Sequence, residues 1–146
     1  MTTSALTRMI SRSLLAPTLI VALAILVKGY ASVGDGFSAG VVAALGILLQ
    51  MLAFGRDQVT ADLPIHRAPL VAMTGLFIGF AVLAVPVLTG GAPLEHWPPP
   101  DEKPIYLGTV ELITAVVFDI GVFLLVLGSC VKVIDALAGA AAEDDA

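Results

Sequence analysis

Four unbroken apolar runs constrain this chain more than any other feature. They extend from about Ser13 to Val27, from Phe37 to Phe54, from about Ala68 to Leu88 and from about Tyr106 to Val131. A helix needs roughly 20 predominantly apolar residues to cross a bilayer. The first run is short, and it lengthens backwards through Ile10 and Met9 if Arg12 snorkels to the interface. Hydrocarbon offers no partner to an open backbone, so spanning segments are helices or the strands of a closed barrel. The runs are continuous rather than alternating with period two, which selects helices. The expected fold is therefore an all-α integral membrane protein with four transmembrane helices.

Composition narrows the functions such a chain can carry. Of its 146 residues, 58% are hydrophobic and 13% charged, whereas soluble domains run at about 45–50% and about 25%. A net charge of −5 leaves no basic footprint for nucleic acid. The single cysteine, Cys130, excludes an internal disulfide and a cysteine-based zinc site. His66 and His96 fall in connections on opposite sides of the membrane and cannot share a metal. No phosphate loop, nucleophile elbow or paired metal-ligand motif is present, so neither a catalytic residue nor a metal site is expected.

The connections are short and loop-like. Residues 28–36 contain Gly29, Gly34 and Gly36, residues 55–67 contain Asp57, Asp62 and Pro64, and residues 89–104 contain Pro98-Pro99-Pro100. Positive charge in short loops sets orientation. Arg8, Arg12, Arg56, Arg67 and Lys132 fall on one side, and Lys28 and Lys103 on the other. Both termini are thus expected in the cytoplasm. The layout is an N-terminus at 1–12, a membrane domain at 13–133 and a cytoplasmic acidic tail at 134–146. Tyr30, Trp97 and Tyr106 suit an interfacial belt on the far side. The first run has a rival reading as a signal peptide, with Arg8 and Arg12 before it and Gly29-Tyr30-Ala31 as a cleavage site.

Within the spans, polar side chains are few. Asp119 lies about 13 residues into the fourth run, about 20 Å from Tyr106 and so near mid-membrane. A carboxylate there costs on the order of 2.5–3.5 kcal/mol on insertion scales. It reads either as a proton or cation site facing other helices, or as a hydrogen-bonded acid that fixes helix register. Glu111, eight residues earlier, would sit roughly 80° around the same helix and about 12 Å along it. The two could be stations on one ion path, or Glu111 could be a solvated interfacial acid. Lys28 ends the first run and can pair with Asp35, Glu111 or Asp119, or snorkel. Gln50 suits an interhelical hydrogen bond. Gly36-Phe-Ser-Ala-Gly40 and Gly75-Leu-Phe-Ile-Gly79 have the GxxxG spacing that lets helix backbones approach closely.

Two stretches carry a resemblance. One is Lys28-Gly29-Tyr30-Ala31-Ser32-Val33-Gly34-Asp35-Gly36-Phe37-Ser38-Ala39-Gly40, and the other is Phe118-Asp119-Ile120-Gly121-Val122-Phe123. Both look like the B subunit of the multisubunit Mrp (also called Mnh) sodium/proton antiporters. That family has a G-H-x-x-P-G-G-G-F-x-G-G-like loop after its first helix and an F-D-I-G-V-Y-like run in its last. The likeness extends over roughly residues 14–133. Tyr30, Val33, Asp35, Ala39 and Phe123 depart from the pattern at positions where His, Pro, Gly, Gly and Tyr are common. Any role that needs that His or a bare glycine backbone is put in doubt.

The resemblance implies a small component of a hetero-oligomeric complex in the plasma membrane of a prokaryote. It implies partners A, C, D, E, F and G together with membrane lipid, no cofactor, and Na+ and H+ as ions transported by the complex. Such complexes support growth in alkali and salt; the chain would be part of a secondary-transport complex and not an enzyme. Asp119, Glu111 and Lys28 are the candidates for an ion or proton route. Gly34, Asp35, Gly36, Phe37, Gly40, Phe118 and Gly121 form the loop and packing motif. The alternatives are a purely structural scaffold whose GxxxG faces bind neighbouring subunits, an equivalent scaffold component of a related membrane-bound hydrogenase or other redox-driven complex, and a self-contained small transporter.

Overall fold

The structure is a computed structural model and describes residues 4–28, 34–88, 90–91, 105–107, 110–112 and 114–144. Helix α1 (Ala5–Lys28) is followed by α2 (Asp35–Phe54), the short α3 (Arg56–Asp62), a 3₁₀ turn at Ile65–Arg67 and α4 (Ala68–Leu88). Strands β1 (Ile105–Leu107) and β2 (Val110–Leu112) precede the last helix, α5 (Thr114–Asp144). Four of the helices are long and apolar enough to cross a membrane: α1, α2, α4 with the turn before it, and α5. The expected all-α, four-span architecture is what the chain adopts, with one short hairpin added.

The helices pack in a row, α1–α2–α5–α4, so that α2 and α5 are inner and α1 and α4 are flanks. Lipid tails are as apolar as leucine, so helices in a bilayer associate through close van der Waals fit. Small residues supply that fit. The buried positions of α2 include Gly36, Ala39, Gly40, Ala43, Ala44 and Gly46. Gly40 lies against Phe123 and Val126 of α5, and Gly46 against Thr18 of α1. On the other side of α5, Gly121 meets the backbone of Gly75 and Gly79, and Gly128 meets Ala68 and Ala72. Both GxxxG pairs are therefore packing surfaces within the chain. Larger apolar side chains gather at the α2–α3 end, where Met51, Val59, Ile65 and Val131 form a buried cluster. The outer faces of α1 and α4 stay exposed and apolar, as at Ile20, Leu23, Phe77 and Phe80.

Helix α1 is a full member of this row, as the span reading expects. Gln50 of α2 is buried and its Nε2 donates to the Ser11 carbonyl of α1 at 2.6 Å. The Gly29-Tyr30-Ala31 segment lies outside the described residues, as do His96, Trp97 and the triple proline.

The fourth span corrects the sequence reading at both ends. It does not start at Tyr106. Residues 105–112 contain an antiparallel pair in the register Ile105↔Leu112, Tyr106↔Glu111 and Leu107↔Val110. The physical reason lies in composition: Ile105, Tyr106 and Val110 favour strands, and the intervening dipeptide is Gly108-Thr109, a composition that two-residue hairpin loops favour. At the other end α5 does not stop near Val131 but continues to Asp144. Residues 134–144, read as tail, continue the helix. Ala136, Leu137, Ala138 and Ala140–Ala142 supply strong helix formers there.

Candidate functional site

Described residues of the two family-like stretches meet where α2 begins. Helix α2 begins just after Gly34, whose φ of 115° places it where a side chain is strained. The Gly34 N–H donates to the Asp119 carboxylate at 3.1 Å. Asp119 is 4% exposed. In the first turn of α2, Gly36 lies on the Asp119 backbone, where a Cβ would overlap the carbonyl. The glycine at 36 is thus a requirement of contact: it lets the start of α2 rest on the first turns of α5, which brings the Asp119 side chain to Gly34.

The electrostatics favour that arrangement. The N-terminus of a helix carries partial positive charge from its unpaired N–H groups. Asp35 occupies the first turn of α2, and the Asp119 carboxylate reaches the same end from another helix. Lys28, at the C-terminus of α1, lies 3.7 Å from the Asp35 carboxylate. Among the described side chains, Asp35 is the partner of Lys28. Gly121, two residues beyond Asp119, packs against α4. Phe118 borders Gly79 of α4, while Phe37 is exposed at the start of α2.

Two expectations for the site are overturned. Glu111 belongs to strand β2 and not to the helix of Asp119, so the two acids are not stations about 12 Å apart on one helical face. Asp119 is also shallower in its helix. Counted from Thr114 it lies five residues in, about 7.5 Å along the axis and not about 20 Å. It stands near the end of its span, beside Gly34 and Gly36 at the start of α2.

A second polar cluster, missed in the sequence, occupies the opposite end. Asp135 of α5 is 6% exposed. It accepts from Arg56 Nε at 2.7 Å and from Lys132 Nζ at 3.2 Å. Gly139, one turn further on, leaves room for the Arg56 guanidinium. The signal was available as Lys132-x-x-Asp135, an i,i+3 pair on one helical face, but it was hidden by ending the span near Val131. Among the described residues, no group of three or more His, Cys, Asp or Glu side chains could hold a metal ion.

Four membrane-length helices, packed through small residues and closed at each end by a buried aspartate, define a small multi-span membrane protein. Comparison with known proteins gives the family. The family model described as "Domain related to MnhB subunit of Na+/H+ antiporter" matches residues 6–132, and the chain belongs to that family. The B subunit of the Na(+)/H(+) antiporter of Bacillus subtilis is 33% identical over 117 residues, covering 75% of this chain and 76% of the relative. The corresponding B subunit of Alkalihalophilus pseudofirmus is 33% identical over 122 residues, covering 80% and 77%. A probable A/B subunit of a K(+)/H(+) antiporter of Rhizobium meliloti is 33% identical over 116 residues, which are 76% of this chain and only 11% of that much longer protein.

Proposed function

We infer that this chain is the B-type subunit of a multisubunit Na+/H+ antiporter. The family match over residues 6–132 carries the inference. The similar proteins are antiporter subunits by name, so the hydrogenase alternative is not favoured. The chain acts within a transport complex of a prokaryotic plasma membrane, with both termini in the cytoplasm. The grouping of Arg12, Arg56 and Lys132 at the α2–α3 end, away from Lys28, supports that orientation. Its partners are the other antiporter subunits, A and C to G, and Na+ and H+ are cargo of the whole complex.

Asp119 is the residue through which this chain would touch an ion or proton route. The observation behind the proposal is its buried carboxylate, which accepts the Gly34 N–H at the junction of the two motifs. A carboxylate offers about four acceptor positions, and among the described residues this backbone bond is its one polar contact, which leaves capacity for a proton or cation. Lys28, engaged with Asp35, borders the same junction and would tune its potential. Glu111 loses its place beside Asp119 on a shared helix. The test is antiport by vesicles carrying the whole complex with Asp119→Asn. The amide keeps an acceptor for Gly34 but no charge. Loss of sodium-dependent proton flux at normal complex yield is the expected result. Full flux at normal yield would refute a direct ion role, and reduced yield would assign Asp119 to assembly alone.

A further inference from the structure

We propose that the cleft between α1, α2 and α3 is a binding site for the headgroup of phosphatidylethanolamine. The cleft has a volume of about 230 Å³ and lies at the α2–α3 end of the row. Its polar lining comes from Arg12 of α1, Gln50 of α2, and Gln58 and Asp62 of α3. Leu15 and Phe54 are among its apolar walls.

Three observations select a zwitterionic lipid. First, Arg12 and Asp62 line one cleft with opposite charges, yet they form no ion pair with each other or with any other described residue. A ligand that carries one anionic and one cationic group can satisfy both at once. An anion alone would meet the Asp62 carboxylate, and a cation alone would meet the Arg12 guanidinium. Second, Gln50 is 5% exposed and commits its Nε2 to Ser11. Its Oε1 accepts from no described residue, so it remains available to an ammonium donor. Gln58 adds an amide that can donate to a phosphate oxygen. Third, the depth is that of a headgroup. Arg12 and Lys28 mark the two ends of the uncharged part of α1, about 24 Å apart, which puts Arg12 at one interface of the hydrocarbon. Leu15, one turn deeper, then meets the first acyl carbons. In this arrangement Arg12 and Gln58 donate to the phosphate, and Asp62 and Gln50 accept from the primary ammonium. Phosphatidylglycerol supplies the phosphate but no ammonium, and Asp62 disfavours it.

The test uses proteoliposomes that hold the complex containing this chain. They are doped with photoactivatable phosphatidylethanolamine or, separately, photoactivatable phosphatidylglycerol. Crosslinked peptides are mapped by mass spectrometry. The expected result is a several-fold higher yield for phosphatidylethanolamine on the segments 12–15 and 54–63. Asp62→Asn brings that yield down to the phosphatidylglycerol level, and Arg12→Gln lowers both. Asp57→Asn, on α3 but outside the cleft, leaves them unchanged and controls for folding. Equal yields of the two lipids in the unaltered protein would overturn the proposal. So would a preference that survives Asp62→Asn, or displacement of the lipid probe by soluble phosphoethanolamine, which would make the ligand a free metabolite.

Discussion

The two ends of the helix row solve one problem in opposite ways. Each buries an aspartate of α5, Asp119 at 4% exposure and Asp135 at 6%. The residues are sixteen positions apart, about 24 Å along the helix. Asp135 is held by two cations, Arg56 and Lys132. Among the described residues, Asp119 is held by one backbone N–H, that of Gly34, at the positive end of α2. The first arrangement fixes a charge by neutralising it. The second positions a carboxylate with a dipole, and among the described residues no cation contacts it. The comparison shows that burial alone does not make an acid a transport residue. What separates the two is how much of the charge the surrounding groups have already answered.

The largest expected effect comes from breaking the packing that makes the Asp119 end possible. Gly36→Leu drives a side chain into the Asp119 backbone. Overpacking of a close contact destabilises by about 1–3 kcal/mol and occasionally more, and here the obstacle is backbone that cannot rotate away. The yield of assembled complex should fall sharply, as read by size-exclusion chromatography in mild detergent. Normal assembly would show that the two motifs need not meet. Next comes Asp135→Asn, which weakens two charge-assisted hydrogen bonds, from Arg56 and from Lys132. Loss of such bonds is on the order of 2 kcal/mol, moderated because Arg56 and Lys132 both reach solvent. Thermal stability of the complex should drop, while transport per assembled complex should persist. A selective loss of flux would remove the distinction between the two aspartates.

Sequence reasoning recovered the spans where one physical rule dominated. Unbroken apolar runs, short glycine- and proline-rich connections and GxxxG spacings led to the four helices and to their packing faces. Residues of the loop and of the Phe118–Phe123 stretch touch in the fold: the Gly34 N–H donates to the Asp119 carboxylate, and Gly36 lies on the Asp119 backbone. The reading failed where two rules competed. Tyr106 to Leu112 is apolar enough to extend a span, yet its β-branched and aromatic residues around Gly108-Thr109 make a hairpin. That error carried Glu111 into the helix and Asp119 to mid-membrane. At the far end, Lys132 and Asp135 resembled the polar edge of a span: their i,i+3 spacing is local, but the Arg56 that completes the cluster arrives from another helix. Long-range partners of this kind have no local signature.

Asp119 offers a finer cut between positioning and transport. Asp119→Leu removes the acceptor for Gly34 altogether. Loss of a capping hydrogen bond costs about 1 kcal/mol, so complex stability should decline modestly. Asp119→Asn retains an acceptor and should leave stability near that of the unaltered complex. Flux should fall in both, because both remove the charge. If flux tracks stability instead, with Asn active and Leu impaired, then Asp119 positions the loop and carries nothing.

The smallest effect belongs to Lys28→Gln, and its size makes it informative. The Lys28 side chain is 73% exposed and its Nζ is 3.7 Å from Asp35. Exposed pairs at such distances contribute about 0–1 kcal/mol, and salt screens them further. Assembly and thermal stability should therefore not change measurably. Transport is a separate matter, because Lys28 is the cation paired at the end where no described cation contacts Asp119. Removing it makes the surroundings of Asp119 more negative, which favours cation or proton binding there. The apparent affinity of antiport for its ions should then shift, and more at low ionic strength than at high. A shift in affinity with unchanged assembly would place Asp119 within electrostatic reach of the route. No shift at any ionic strength would leave the Lys28–Asp35 pair as a surface contact and would make the two ends of the row alike in function.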